Sequence, residues 1–327
     1  MKILVYGAGA VGGALAVRLK AAGEDVSVLA RGEHGAAIRA RGLTLVAGKS
    51  EQMVWLPCFE HADSLDTAPD VVFVTVKQTQ LPAIARSLGR LQSLGARLVL
   101  AMNGIGWWFA GELPIPRKNA FMDELDPGRR LRDAIDPTRL IGCVVQSSNE
   151  VVAPGVVVAT TPTRNRMILG NVVRGSNNGL PHLCEVLRHA QYEALEVQDI
   201  RREIWNKMAL WLALCPVSAV TSLPLDKLVN DPAGFAVMVA VLREANTVGR
   251  RLGFELEDDA EERIRFYHDK PTRPSLLKDF ELKREPELAS GVLVFDALAR
   301  AMQVEAPHIA TVAALARLRY LAISAAS

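Results

Sequence analysis

Six residues near the start of the chain have the spacing of a glycine-rich turn that binds phosphate. The run Gly7-Ala8-Gly9-Ala10-Val11-Gly12 follows directly on the apolar segment 2–6, and an amphipathic segment, 14–22, comes next. Glycines at this spacing allow a tight turn between a strand and a helix, and they let a pyrophosphate approach the helix N-terminus. The pattern predicts a dinucleotide site. The alternative is a turn that only packs a helix on a strand.

The residue after the second predicted strand, 25–29, indicates which dinucleotide binds. An NAD site usually has Asp or Glu at this point to bind the ribose 2′-hydroxyl, but this chain has Ala30 and Arg31. The guanidinium of Arg31 suits a 2′-phosphate instead. NADP(H) is therefore favoured over NAD(H), and the alternative for Arg31 is a solvated surface charge.

Two polar residues follow later strands of the predicted sheet. Lys77 comes after the apolar run 71–75, and Asn103 comes after the run 98–101. Parallel sheets of this kind bind ligands at the carboxyl ends of their strands. Lys77 could meet an anionic or carbonyl group, and Asn103 could orient a nicotinamide or a substrate. An ordinary loop position is the alternative for each.

Three residues in the second half of the chain could serve ketone reduction, which needs a proton donor and groups that hold the substrate. Lys207 lies in an apolar helical pattern, where desolvation favours the neutral amine and makes lysine a useful proton donor. Ser275 and Glu287 each follow a proline at the start of a helical pattern, and both could hold a substrate hydroxyl or carboxylate. Each residue also has a structural alternative. Lys207 could extend its amine to water, Ser275 could cap a helix, and Glu287 could be a first-turn glutamate after a proline at N1.

The elements that must position these residues indicate an α/β domain followed by an all-α domain. In 1–198, strand and helix patterns alternate, which predicts a Rossmann-type NADP(H)-binding domain with a mainly parallel sheet. In 199–327 the patterns are helical, which predicts a substrate and catalytic domain. Pro154-Gly155 is expected to join two arms of a hairpin, and 107–132 is expected to be a loop excursion.

Composition fits an ordinary globular protein of 327 residues with a net charge of +2. No basic run suggests nucleic acid. The four cysteines lack metal-ligand spacing and indicate reduced thiols in a cytoplasmic protein. No signal sequence precedes the first strand, and no apolar stretch is judged long enough to span a membrane.

Six motifs occur in a fixed order along the chain: GAGAVG with Arg31, VKQ at Lys77, NGIG at Asn103, EVVAPG at 150–155, EIWNKMA at Lys207, and RPSLLKDFELKREPE with Ser275 and Glu287. This ordered set resembles the ketopantoate reductase (2-dehydropantoate 2-reductase) family over nearly the whole chain. The resemblance implies reduction of the 2-keto group of ketopantoate to pantoate by NADPH.

The same resemblance implies the role of each site residue. Lys207 would be the general acid, Glu287 and Ser275 would hold the substrate, Asn103 would help position it, and Lys77 would lie near cofactor and substrate. A homodimer is compatible with the resemblance, although the sequence shows no interface.

Departures from the family pattern bear on the substrate. Trp211, Cys215 and Leu225 stand where the family usually has asparagines, and Trp107 and Trp108 lie in a longer loop after the NGIG motif. Lost hydrogen-bond partners and added apolar bulk predict a 2-keto acid larger or more apolar than ketopantoate. Packing between loop and domain is the alternative for the two loop tryptophans.

Two other functions remain open at this point. One is an NADP-dependent dehydrogenase of related architecture that acts on a hydroxy or imino acid. The other is a non-catalytic NADP(H)-binding sensor or partner protein, which the lost asparagines would suit. The presence of both Lys207 and Glu287 favours the reductase.

Overall fold

A computed structural model describes residues 1–65 and 67–325 of the chain. The chain divides into two compact units. The first consists of Met1–Asn103 and Arg129–Arg201, and the second of Gly104–Gly128 and Arg202–Ser327. The first unit is α/β with a mainly parallel sheet and the second is helical, which confirms the predicted fold class.

The elements run along the chain as follows. The strands, which among the described residues all belong to the first unit, are β1 (Lys2–Tyr6), β2 (Asp25–Leu29), β3 (Leu43–Ala47), β4 (Ser50–Val54), β5 (Cys58–Phe59), β6 (Val71–Val74), β7 (Arg97–Leu100), β8 (Leu140–Gln146), β9 (Asn149–Ala153), β10 (Val156–Ala159), β11 (Arg166–Asn171) and β12 (Glu193–Glu196). The α-helices are α1 (Ala10–Ala21), α2 (Gly32–Arg41), α3 (Leu81–Ser93), α4 (Lys118–Leu125), α5 (Arg130–Ala134), α6 (Leu180–His189), α7 (Ile200–Thr221), α8 (Leu225–Asn230), α9 (Pro232–Arg251), α10 (Ala260–Arg265), α11 (Ser275–Glu281), α12 (Val294–Ala301) and α13 (Pro307–Ala325).

The main sheet has eight strands in the order β12-β11-β8-β7-β6-β1-β2-β5. All neighbours are parallel except β8 and β11. The central strands are short apolar runs, and β6 is buried along its whole length, as expected for a sheet covered on both faces. β1 lies between β2 and β6, so the strand order reverses there, and this switch point is where such sheets bind ligands.

A second sheet has the order β4-β3-β10-β9. Its strands β9 and β10 form the antiparallel hairpin that was predicted around Pro154-Gly155. This sheet packs on helix α1, where a Cβ atom at Gly13 would lie 2.7 Å from Cγ2 of Val157. Glycine at that position therefore allows the helix to approach β10 closely.

The helical unit has an aromatic core that includes a segment predicted to be a loop. Trp107–Ala110 form a buried 3₁₀ turn, α4 lies within 107–132 and α5 begins there at Arg130, so the predicted loop excursion was wrong. The ring of Phe109 stacks on Trp205 with centroids 6.2 Å apart, and Trp205 packs 4.8 Å from the ring of Phe295. Burial of these rings fixes the segment in place.

Helix α7 is long and apolar enough to cross a membrane by length and composition, contrary to the expectation from the sequence. Of its most apolar window, 67% is buried inside the protein. Its apolar composition is therefore explained by its place in the core of the helical unit.

Candidate active site

The glycine turn that follows β1 is held by hydrogen bonds to β2 and to the residue after β6. The amides of Gly7 and Ala8 donate to the carbonyl of Leu29, at 3.1 and 3.2 Å. The hydroxyl of Thr75 donates to the carbonyl of Gly7 at 2.6 Å. Gly7 has φ of +107°, and a Cβ atom at Gly12 would lie 2.0 Å from the carbonyl oxygen of Gly7. The protein's own packing therefore requires glycine at both positions.

Gly9 differs from these two glycines because the packing around it leaves room for a side chain. A Cβ atom at Gly9 would meet nothing within 4 Å, and its φ of −69° suits any residue. Gly9 is the N-cap of α1, which has no capping side chain and no acidic residue in its first turn. The first amides of a helix lack partners within it and attract anions. The space at Gly9 and the uncapped amides beside it fit a pyrophosphate group.

The first unit brings the remaining predicted cofactor residues to the same edge of the main sheet. β2, β1, β6 and β7 are consecutive parallel strands, so their carboxyl ends meet at one edge. Arg31, which follows β2, is exposed at the N-cap of α2. Lys77 and Asn103 follow β6 and β7, and the side-chain amide of Gln78 donates to the carbonyl of Asn103 at 3.0 Å. Gln78 was not singled out in the sequence, although it belongs to the VKQ motif.

Lys207 lies half-buried on α7 in the helical unit. Its neighbour Met208 is buried and accepts a 3.3 Å hydrogen bond at Sδ from the amide of Gly104. Burial raises the pKa of the Cys215 thiol, and the positive charge of Lys207 opposes this rise. Cys215 is therefore a neutral thiol that interacts electrostatically with Lys207.

Two contacts along α7 define how it packs against the segment after Glu287. Trp205 contacts Phe295, and further along the helix a Cβ atom at Gly291 would lie 2.8 Å from Cζ3 of Trp211. The earlier of the two α7 residues contacts the later residue of the other segment, so the two helical segments run in opposite directions. Lys207 comes one turn before Trp211, and Glu287 comes one turn before Gly291. Along the two helices, Lys207 and Glu287 therefore lie on either side of the level of the Trp211–Gly291 contact.

The helix after Glu287 starts with a π-helical turn, Ala289–Leu293, which is a feature common at functional sites. Helical structure begins at Leu288, so the expectation of Pro286 at N1 and Glu287 in the first turn was wrong. The carbonyl of Glu287 accepts from the amide of Gly291 at 3.1 Å, and the carbonyl of Ser290 accepts from the amide of Ile105 at 2.8 Å. Sequence patterns gave no signal for the π turn.

Ser275 is the first residue of α11 and is exposed. The alternative that it caps this helix was wrong, because the N-cap is Pro274, which makes no side-chain cap hydrogen bond. The structure places Ser275 in the same unit as Lys207 and Glu287. Its hydroxyl is accessible to a ligand.

Comparison with known proteins identifies the class to which this fold and these residues belong. The chain belongs to the ketopantoate reductase PanE/ApbA family. The model of the family's N-terminal domain matches residues 3–108, and the model of its C-terminal domain matches residues 199–320. The chain is therefore a member of an oxidoreductase family, as the motifs predicted.

Particular relatives show how far the similarity extends. The chain is 32% identical over 319 residues to a 2-dehydropantoate 2-reductase of Mesorhizobium japonicum, covering 97% of each chain. A solved structure assigned to a ketopantoate reductase of Ralstonia solanacearum has a TM-score of 0.89 and 32% identity, covering 99% of this chain and 98% of that one. D-mandelate dehydrogenase, solved with NADH and anilino(oxo)acetate, shares the fold at a TM-score of 0.84 and 17% identity, covering 99% of this chain and all (100%) of that one.

Proposed function

We propose that the protein reduces a 2-keto acid to a 2-hydroxy acid with NADPH, with ketopantoate or a bulkier analogue as substrate. The single observation that supports this most is the glycine turn with open space at Gly9, in a chain whose helical unit carries Lys207 and Glu287. The first unit holds the cofactor and the second supplies the proton donor.

The residues after β1 and β2 fit a phosphorylated dinucleotide. The glycine turn, Gly7-Ala8-Gly9-Ala10-Val11-Gly12, offers the uncapped amides at the start of α1 to the pyrophosphate, and the exposed guanidinium of Arg31 pairs with a 2′-phosphate. Lys77 and Asn103 hold the nicotinamide end. A relative bound to NADH supports a nicotinamide cofactor, and Arg31 is the reason to propose NADP(H) for this chain.

Bound nicotinamide would supply a hydride to the carbonyl carbon of the substrate. Lys207 donates a proton from Nζ to the carbonyl oxygen as the hydroxyl forms, and water returns a proton to the amine. Glu287 and Ser275 hold polar groups of the substrate, and Asn103 helps orient it. The described residues contain no group of three or more His, Cys, Asp or Glu side chains that could hold a metal ion.

Trp211, one helical turn after Lys207, supports a substrate with an apolar side chain. Its indole covers the backbone of Gly291, which comes one turn after Glu287. An indole offers apolar contact to a substrate but only one hydrogen-bond donor. The similarity in fold to D-mandelate dehydrogenase adds a reason to include aromatic 2-keto acids among the candidates.

Steady-state oxidation of NADPH tests this function. The assay compares ketopantoate with aliphatic and aromatic 2-keto acids, and it compares wild type with Lys207→Met and the exposed-site control Lys227→Met. We expect turnover of at least one acid, a loss of about 10²–10⁴-fold in Lys207→Met because a general acid contributes that much, and wild-type rates in the control. Binding of NADPH without turnover of any acid would support a sensor instead.

A further inference from the structure

His34 connects two loops of the first unit that are far apart in the sequence. Its ring lies half-buried at the start of α2, with Nε2 2.8 Å from the carbonyl oxygen of Ala8 in the glycine turn. The amide of Gly155 donates to Nδ1 at 3.1 Å. Gly155 ends the EVVAPG motif, which the proposed chemistry leaves without a role.

The two partners determine which ring nitrogen carries the proton. Because the Gly155 amide is a donor, Nδ1 must accept and therefore has no hydrogen. The neutral ring then has its proton on Nε2, which donates to the carbonyl of Ala8. Both ring nitrogens are thus used by backbone groups.

This arrangement fixes the backbone on both sides of Gly9. The peptide between Ala8 and Gly9 is trans and planar, so fixing the Ala8 carbonyl directs the Gly9 amide to the opposite side. The carbonyl of Gly9 accepts from the amide of Gly13 at 2.7 Å. His34 therefore orients the first amide that the turn offers to an anion.

The hairpin that supplies Gly155 is itself well anchored. The carbonyl of Gly155 accepts from the amide of Thr44 at 2.9 Å, which ties the turn to the second sheet. Gly155 has φ of +80°, and a Cβ atom there would lie 3.4 Å from Cβ of Ala37 on α2. The close fit holds the Gly155 amide against His34.

We infer that His34 is a positioning residue for the cofactor, which holds the glycine turn in its pyrophosphate-binding form by bridging Ala8 to the hairpin at Gly155. This role rests on the proposed function, because it assumes that the turn binds a dinucleotide. Preorganised donors bind more tightly than donors that must be ordered on binding.

The test measures the Kd of NADPH by fluorescence titration for wild type, His34→Leu and His34→Gln. Leucine keeps bulk and removes both hydrogen bonds, whereas the glutamine amide can accept from Gly155 and donate to Ala8. We expect a rise in Kd of about tenfold in His34→Leu, with the kinetic loss mainly in the KM for NADPH and less in kcat. His34→Gln should recover most of the affinity, and the exposed-site control His61→Leu should match wild type.

The outcomes separate this role from the proposed function. If wild type does not bind NADPH, the proposed function fails. If wild type binds NADPH and His34→Leu binds it equally well, the positioning role fails. Thermal unfolding of the cofactor-free variants completes the test. The positioning role would also be overturned if His34→Leu lost affinity and unfolded at a lower temperature than wild type, and if His34→Gln did not restore the affinity.

Discussion

Alanine at Gly12 should destabilise the protein and alanine at Gly9 should not, although the two glycines belong to one turn. At Gly12 the new Cβ atom would lie 2.0 Å from the carbonyl oxygen of Gly7 and 2.3 Å from Oγ1 of Thr75. At Gly9 the new atom would meet nothing within 4 Å, and φ of −69° accommodates alanine without strain. Comparing the two variants therefore separates the contribution of these glycines to packing from their contribution to ligand binding.

The magnitudes follow from these contacts. Overpacking costs about 1–3 kcal/mol, and relief of the clash at Gly12 also breaks the 2.6 Å bond from Thr75 to Gly7, worth about 0.5–1.5 kcal/mol. We expect Gly12→Ala to lower the free energy of unfolding by about 2–4 kcal/mol. Gly9→Ala should leave it unchanged or raise it by about 0.4–1 kcal/mol, because alanine restricts the unfolded chain.

Affinity for NADPH should fall in both variants. In Gly9→Ala the added methyl group occupies the space proposed for the pyrophosphate, and losing one hydrogen bond to a charged group costs about 1.5–3 kcal/mol, or roughly 10–150-fold in Kd. Circular dichroism during thermal unfolding of the cofactor-free protein and fluorescence titration with NADPH measure the two effects. Wild-type affinity in Gly9→Ala, or unfolding as early as in Gly12→Ala, would refute the reasoning.

Three further predictions address the cofactor, the substrate and the fold. Arg31→Asp should raise the KM for NADPH about 10–100-fold, because it removes a charge-assisted bond, while NADH oxidation is retained or improved; equal losses with both cofactors would contradict the role of Arg31. Trp211→Asn should shift the kcat/KM ratio towards ketopantoate and away from aromatic 2-keto acids, and an unchanged ratio would show that Trp211 only packs. Asp231→Ala removes the carboxylate that accepts from the amide of Gly234 at 2.8 Å, so chemical denaturation should show a loss of about 1 kcal/mol, against no change in the exposed variant Asp258→Ala.

The main sheet could be predicted from sequence because its central strands are local signals. β1, β2 and β6 are short apolar runs followed by turns, and their predicted positions agree with the structure to within a residue. The second sheet was missed because β4 is polar and mostly exposed and because β3 pairs with β10, more than a hundred residues away. Such pairing is decided by tertiary packing rather than by local propensity.

The aromatic segment Trp107–Ala110 shows where interpretation from local sequence fails. Two nearby prolines suggested a loop, but Phe109 is buried against Trp205 and Phe254. The burial of this segment depends on residues about a hundred and more positions away, which local sequence does not reveal.

The candidate site was predictable in its residue types and less so in its construction. The glycine turn, Lys77 and Asn103 could be placed because parallel strands end at one edge of the sheet. The contact of Trp211 with Gly291 could not, because it depends on how α7 packs against a π-helical turn that no sequence pattern announces. Sequence identifies candidate chemistry, whereas packing determines which surface lies between the candidate groups.

Transfer of deuterium from labelled NADPH tests the central claim most directly. The purified protein is incubated with NADPH deuterated at both hydrogens of nicotinamide C4 and with a panel of 2-keto acids, and the products are analysed by mass spectrometry. The account predicts a 2-hydroxy acid with one deuterium at C2, and almost none in the Lys207→Met variant. Tight NADPH binding with no labelled hydroxy acid from any member of the panel would contradict it.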